Sequence, residues 1–215
     1  MSSNKVLILQ MKNLLSVAIF VSSLILLSSA HLNNLVIYAQ NVPLSEIGEI
    51  NGANYEFIQE DTSYSFRGSF VIKAELNCLI SIAYDFEHVI QYNSGAKSIE
   101  LIQQGENWYE LSYTYRKLII FENTSIWRRT LKRDEQKILF EMISNKSNIS
   151  IVPEVLSSLG YYQIKPEQEG YRVEYFQECK LKPGFLKDTY INKAKKEAIK
   201  FLLEFKKYVE RTCDQ

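Results

Sequence analysis

Residues 159–212, LGYYQIKPEQEGYRVEYFQECKLKPGFLKDTYINKAKKEAIKFLLEFKKYVERT, carry the pattern that decides the fold. Two strand-like runs, Tyr161 to Ile164 and Tyr171 to Cys179, flank a turn at Pro166 to Gly170, and Val173 and Tyr175 share one face. Pro183-Gly184 breaks the chain, and Asp188 or Thr189 is placed to cap a terminal helix. Ile191, Ala194, Ala198, Phe201, Leu202, Phe205 and Val209 fall on one side of that helix. Lys193, Lys196, Glu197, Lys200, Glu204 and Lys207 fall on the other. About 20 residues of helix extend roughly 30 Å, enough to cross a sheet. A hairpin followed by a helix with one apolar face predicts a curved sheet closed by that helix.

The upstream chain supplies the rest of the sheet. Residues 40–62 are polar and mixed, with Pro43 and Gly52, and read as a linker or lead-in to a domain over residues 63–213. Ser63 to Ala74 alternates like a first strand. Leu76 to Tyr92 has helical apolar spacing, broken at Asp85-Phe86, which predicts two short helices. Strands are expected at Lys97 to Gln103, Trp108 to Arg116, Leu118 to Leu131 (one bent strand or two) and Lys137 to Ser144. The polar turns Gly105-Glu106-Asn107 and Lys132-Arg133-Asp134-Glu135 join them as an antiparallel meander. A polar loop is expected over Asn145 to Pro153. The fold class is therefore α+β.

Composition narrows the partners. The first 40 residues hold Lys5 and Lys12 and no acid, so the remainder carries 23 basic and 25 acidic side chains. No basic stripe is left for a nucleic acid. Lys5, Lys12, the apolar run Leu14 to Leu27 and Ser28-Ser29-Ala30 follow the order of a secretory signal. Residues 1–39 are thus a signal peptide, cleaved after Ala30 or Ala39, or an uncleaved membrane anchor, with the domain outside the cytoplasm. Sequons at Asn123, Asn145 and Asn148 are candidate glycosylation sites under export. Cys78, Cys179 and Cys213 allow one disulfide and one free thiol, with the pairing open. Nothing in the sequence has metal-ligand spacing or a cofactor motif, so neither a metal nor a cofactor is expected.

The order of strand, two short helices, a run of strands and a long terminal helix resembles the START-like helix-grip superfamily, in particular its polyketide cyclase and coenzyme-Q-binding branch. FVIKAELNCLISIAYDFEHVIQYNSGAKSIELI, residues 70–102, is similar to that family's opening, with Asp85 and Phe86 at the break between the helices. LGYYQIKPEQEGYRVEYFQECKLKPGF, residues 159–185, resembles its penultimate hairpin. The likeness spans about residues 65–211. Tyr92-Asn93-Ser94 stands where relatives usually place a proline. Since the superfamily shares topology more than motifs, no catalytic residue is transferred.

The resemblance implies a cavity between sheet and terminal helix that holds a hydrophobic small molecule, such as a lipid, quinone or isoprenoid. Its lining would draw on Leu111, Tyr113, Tyr115, Phe140, Met142, Tyr162, Val173 and Tyr175, with Ala194, Ala198, Phe201, Leu202 and Phe205 from the helix. The competing expectation is that these side chains pack as a closed core. A cyclase or dehydratase would rely on Tyr113, Tyr115, Tyr175 or Asp85 for proton transfer. A membrane-tethered interaction module with a collapsed cavity is the third alternative. His88 is expected to be structural. Arg128 and Arg129 could clamp an anion, although adjacent strand residues face opposite sides and a solvated pair is favoured. The Lys-rich helix face offers a contact for an anionic membrane surface, diluted by Glu197, Glu204 and Glu210.

Overall fold

The structure, a computed structural model, describes residues 44–93, 95–118, 121–147, 153–184 and 186–213. The leader, the sequon at Asn148 and the loop positions Ser94 and 148–152 lie outside the described residues.

Nine strands form one antiparallel sheet: β1 (Leu44–Ile50), β2 (Ala53–Gln59), β3 (Ser63–Ile72), β4 (Ser98–Gln104), β5 (Trp108–Leu118), β6 (Phe121–Lys132), β7 (Lys137–Ser147), β8 (Val155–Glu167) and β9 (Gly170–Leu181). Their spatial order is β1-β2-β3-β9-β8-β7-β6-β5-β4. Helices α1 (Leu76–Tyr84) and α2 (Phe86–Tyr92) connect β3 to β4, and α3 (Lys187–Cys213) ends the chain. The first and last strands of the expected domain, β3 and β9, lie side by side, so the α3 that comes after β9 returns across the sheet.

Period-two alternation builds the inner face. Along β3, Tyr64, Phe66, Gly68, Phe70 and Ile72 are buried while Arg67 and Val71 are exposed. The helix presents Ile191, Leu202, Phe205 and Val209 to that face. Phe205 is the hub: its ring lies 5.9 Å from Phe70, 4.9 Å from Tyr92 and 5.2 Å from Tyr162. Removing an aromatic ring of this size from water contributes about 2–3 kcal/mol, and each well-oriented ring pair about 0.5–1.5 kcal/mol more.

Close approach depends on two glycines. A Cβ on Gly68 would sit 2.6 Å from Leu202 Cδ2, so α3 seats Leu202 where β3 has no side chain. A Cβ on Gly160 would sit 2.0 Å from the Phe176 carbonyl oxygen and 2.4 Å from Phe140 Cζ.

Several sequence expectations change. Residues 44–59, expected as a lead-in, form β1 and β2, which extend the sheet beside β3. Their connection is Asn51-Gly52, both at positive φ (50° and 69°), a two-residue hairpin turn whose twist matches the strands. The polar loop expected from Asn145 begins later, because β7 runs on to Ser147. Strand β8 starts at Val155, well before Tyr161. Helix α3 has 27 residues and starts at Lys187, so Asp188 lies in its first turn, where a carboxylate favours the positive end of the helix dipole.

Cys78 of α1 is bridged to Cys213 at the end of α3, and Cys179 is free and buried. The bridge closes 135 residues of chain. Such a crosslink removes roughly 4–5 kcal/mol of unfolded-state freedom on the chain-entropy model.

Gly160→Ala, blocked by backbone, is expected to destabilise by about 2–3 kcal/mol, and Gly68→Ala, blocked by the movable end of Leu202, by about 1 kcal/mol; urea denaturation of both variants checks the order. Cys213→Ser should lower the urea midpoint of the purified domain by an amount equivalent to about 3–5 kcal/mol. An unchanged midpoint would show that the bridge does not restrain the chain.

Candidate functional site

The inner face of the sheet has two ends of different character, and β6 runs from one to the other. At one end, Arg129 is only 5% exposed. Its Nη1 donates to the Ala83 carbonyl at 2.8 Å and to the Tyr92 hydroxyl at 3.3 Å, and its guanidinium lies 5.4 Å from the Tyr162 ring centre. Tyr109, the register partner of Arg129 on β5, donates its hydroxyl to the Tyr84 carbonyl. Two neighbouring sheet residues therefore satisfy two consecutive carbonyls at the end of α1, carbonyls that a helix cannot satisfy itself. A cation there also complements the helix dipole. No carboxylate among the described residues pairs with Arg129; hydroxyls, a carbonyl and a ring face surround it instead. Burial drives the Tyr92 phenol well up, so it stays protonated.

The expectation of a solvated Arg128–Arg129 pair is thus half right. Arg128 points outward, 2.7 Å from Glu110 and 5.0 Å from the Trp108 ring centre. The Gln103 amide and Arg128 hold the Glu110 carboxyl below the usual range. Arg129 turns inward, and its surroundings of Tyr92, Tyr109, Leu111 and Tyr162 are closed. It acts as a strut that fixes α1 and α2 to the sheet.

At the other end the inner face becomes polar and less filled. Tyr113 and Tyr115 stack along β5, ring centres 6.0 Å apart. The register sets Tyr113 beside Ser125, and Ser125 beside Asn145; it sets Tyr115 beside Asn123. Ser125 and Asn123 are 3% and 8% exposed. Trp127 Nε1 donates to Ser125 Oγ at 2.8 Å. The Oδ1 atoms of Asn123 and Asn145 are buried without a hydrogen-bond partner. An unsatisfied buried acceptor costs about 1–3 kcal/mol, and native folds rarely tolerate two close together without a reason.

A chain of neutral groups continues across β8, β9 and β3. Tyr175 donates to Gln177 Oε1 (2.7 Å), and Gln177 Nε2 donates to Ser158 Oγ (3.0 Å). Ser158 donates to the Glu178 carbonyl (3.0 Å) and lies 2.9 Å from Cys179 Sγ, which is also hydrogen-bonded to Tyr64. Burial pushes the Cys179 thiol up, so it is neutral and a poor nucleophile.

The residues expected to line a cavity divide between these ends. Leu111, Tyr113, Phe140, Tyr162, Val173, Tyr175, Leu202 and Phe205 are buried in continuous packing. Tyr115, Met142, Ala194, Ala198 and Phe201 keep accessible surface. Tyr115 is the telling case. It is deep enough that burial drives its phenol far up, yet its side chain is not fully covered. Tyr190, from the first turn of α3, shares both properties and lies within electrostatic reach of Tyr115. The first half of α3 carries the small Ala194 and Ala198, which keep accessible surface, while Ile191 in the same half is fully buried.

Other candidates have local duties. Asp85, between α1 and α2, accepts a hydrogen bond from the Ser81 hydroxyl of α1. His88 Nδ1 is 2.8 Å from the Tyr208 hydroxyl, tying α2 to α3. Of the sequon residues, Asn123 is buried and Asn145 half-buried, with both Oδ1 atoms enclosed. On α3, Lys187 pairs with Asp61, Lys195 with Glu46, Lys200 with Glu204 and Lys206 with Glu210. The orphaned asparagines were read in the sequence only as sequons; the alternation of β6, continued from Arg129 back to Asn123, is the signal that would have turned Asn123 inward.

No protein-family model and no curated protein matches the sequence. Solved structures do match. Human StAR-related lipid transfer protein 5 aligns with a TM-score of 0.57 at 12% identity, covering 86% of this chain and 95% of that one. A STAR-related lipid transfer protein from Xanthomonas axonopodis aligns at 0.55 and 12% identity, covering 80% and 99%. The Zhui aromatase/cyclase from Streptomyces sp. R1128 aligns at 0.55 and 10% identity, covering 69% and 94%. The chain has the START-like helix-grip fold.

The strut makes a prediction. Arg129→Ala strands the Ala83 carbonyl and the Tyr92 hydroxyl and leaves a void, so a loss of about 3 kcal/mol or more is expected in urea denaturation. A change below about 0.5 kcal/mol, the scatter of ordinary surface substitutions, would refute the role.

Proposed function

We propose that this domain binds or transfers a hydrophobic small molecule, of the lipid, quinone or isoprenoid kind, between the inner face of the sheet and the first half of α3, outside the cytoplasm. One observation carries this reading: Tyr115, Met142, Ala194, Ala198 and Phe201 keep accessible surface on faces that should be filled, while the Arg129 end is closed. Binding would be driven by burial of apolar ligand surface at about 25 cal/mol per Å². The likeness of the fold to lipid transfer proteins and to an aromatase/cyclase supports a ligand-holding role. The Cys78–Cys213 bridge and the signal-like leader support an oxidising compartment.

An enzymatic role of the cyclase kind has less support. The inner groups at the polar end are hydroxyls, amides and a thiol, and no described carboxylate or histidine joins them. The phenols of Tyr115 and Tyr175 are pushed up by burial, so they can donate hydrogen bonds but are poor bases at neutral pH. No helix among the described residues is long and apolar enough to cross a membrane.

The domain purified from cells is expected to carry lipid visible by native mass spectrometry, or to take up a fluorescent fatty acid or quinone. Ala198→Phe should fill the space and weaken uptake at least tenfold, about 1.4 kcal/mol, with the thermal midpoint retained. A domain that binds none of these probes, or an Ala198→Phe variant that binds them unchanged, would sink the proposal.

A further inference from the structure

The polar end of this site has a surplus of acceptors, and the structure assigns it to a ligand hydroxyl: we propose that Asn123 and Asn145 together receive a hydrogen-bond donor on an otherwise apolar, uncharged ligand. The inference rests on the ligand-binding reading above and gives that site its chemical selectivity.

The hydrogen-bond inventory leads there. Asn123 and Asn145 lie on adjacent strands, diagonal to one another through the Ser125–Asn145 register pair. Diagonal neighbours on one sheet face are about 7–8 Å apart at the backbone, close enough for two amide side chains to converge on one atom. Asn145 Nδ2 faces the Val155 carbonyl at 3.4 Å, which turns its Oδ1 away from that strand. Neither Oδ1 has a partner. The nearby donors are used or turned elsewhere. The Trp127 indole N–H is spent on Ser125, and the Tyr175 hydroxyl on Gln177. The phenols of Tyr113 and Tyr115 are aligned with each other along β5 and make no bond to either oxygen. Two buried acceptors in one small region, to which no described donor, the Ser125, Tyr113 and Tyr115 hydroxyls included, is bonded, fit a donor from outside.

The class of donor is narrowed by charge. An ammonium group would need an anion, and no described carboxylate faces this end. A carboxylate or phosphate would bring more acceptors to a place that already has too many. A neutral alcohol or phenol fits. Its ring or chain would lie against Tyr115, Met142 and Phe201, and its hydroxyl would reach the asparagines. Such a site rejects the analogue that lacks the donor, because the buried oxygens are then left unpaired.

The test uses 2-naphthol and 2-methoxynaphthalene, which share a ring system and differ in one donor. Isothermal titration calorimetry on the whole exported domain should show about tenfold tighter binding of the naphthol, the effect of one net hydrogen bond. In Asn123→Leu and Asn145→Leu that preference should fall to about twofold or less, with affinity for the ether retained. Both variants should unfold at the same urea concentration as the parent or higher when empty, because each removes an unsatisfied buried group. A parent that binds both compounds equally, or variants that keep the tenfold preference, would overturn the donor assignment and leave the carrier reading standing. Binding of neither compound would remove both.

Discussion

The contact between α3 and β3 is the constraint on which the rest of the structure depends. Leu202 seats in the gap above Gly68, and Phe205 locks into the rings of Phe70, Tyr92 and Tyr162. Those two side chains lie in the second half of the helix. Their packing holds that half against the sheet, and the Cys78–Cys213 bridge holds its end to α1. The first half has Ala194 and Ala198 where the second has Phe205 and Val209. Ile191 in the first half is also fully buried, while Ala194 and Ala198 keep accessible surface.

A polarity gradient along β6 matches this geometry. The inner positions run Asn123, Ser125, Trp127, Arg129, Leu131. Arg129 would be costly in an apolar core without a partner, and its guanidinium is satisfied by helix-end carbonyl, hydroxyl and ring face. The amides and hydroxyls at the opposite end are satisfied only in part, and the incompletely covered surface lies beside them. One strand thus carries a satisfied cation at one end and unsatisfied amides at the other.

Much of the architecture was legible from residues alone. The strand β9, the stripe Ile191 to Val209 and the paired short helices came from apolar spacing, and the resemblance drawn from them named the fold that the solved structures share. Other parts were overlooked although their signals were present. Asn51-Gly52 between alternating runs is a strong hairpin signal, and composition hid it, since Ser45, Glu46, Glu49, Asn54 and Glu56 make the segment read as polar. On β1 that polarity belongs to an edge strand, where most side chains face water. The length of α3 was underestimated because its last turns are charged; the disulfide at Cys213 holds them in place.

Local periodicity by itself determined which residues are strand, which are helix and which share a face, since those properties depend on neighbours two to four positions away. Which inner residues are buried and which keep accessible surface was decided only by the tertiary structure. Tyr113 and Tyr115 have the same chemistry and the same face, yet one is packed and the other keeps accessible surface. The difference rests on what distant parts of the chain pack over β5, which no pattern along the strand encodes.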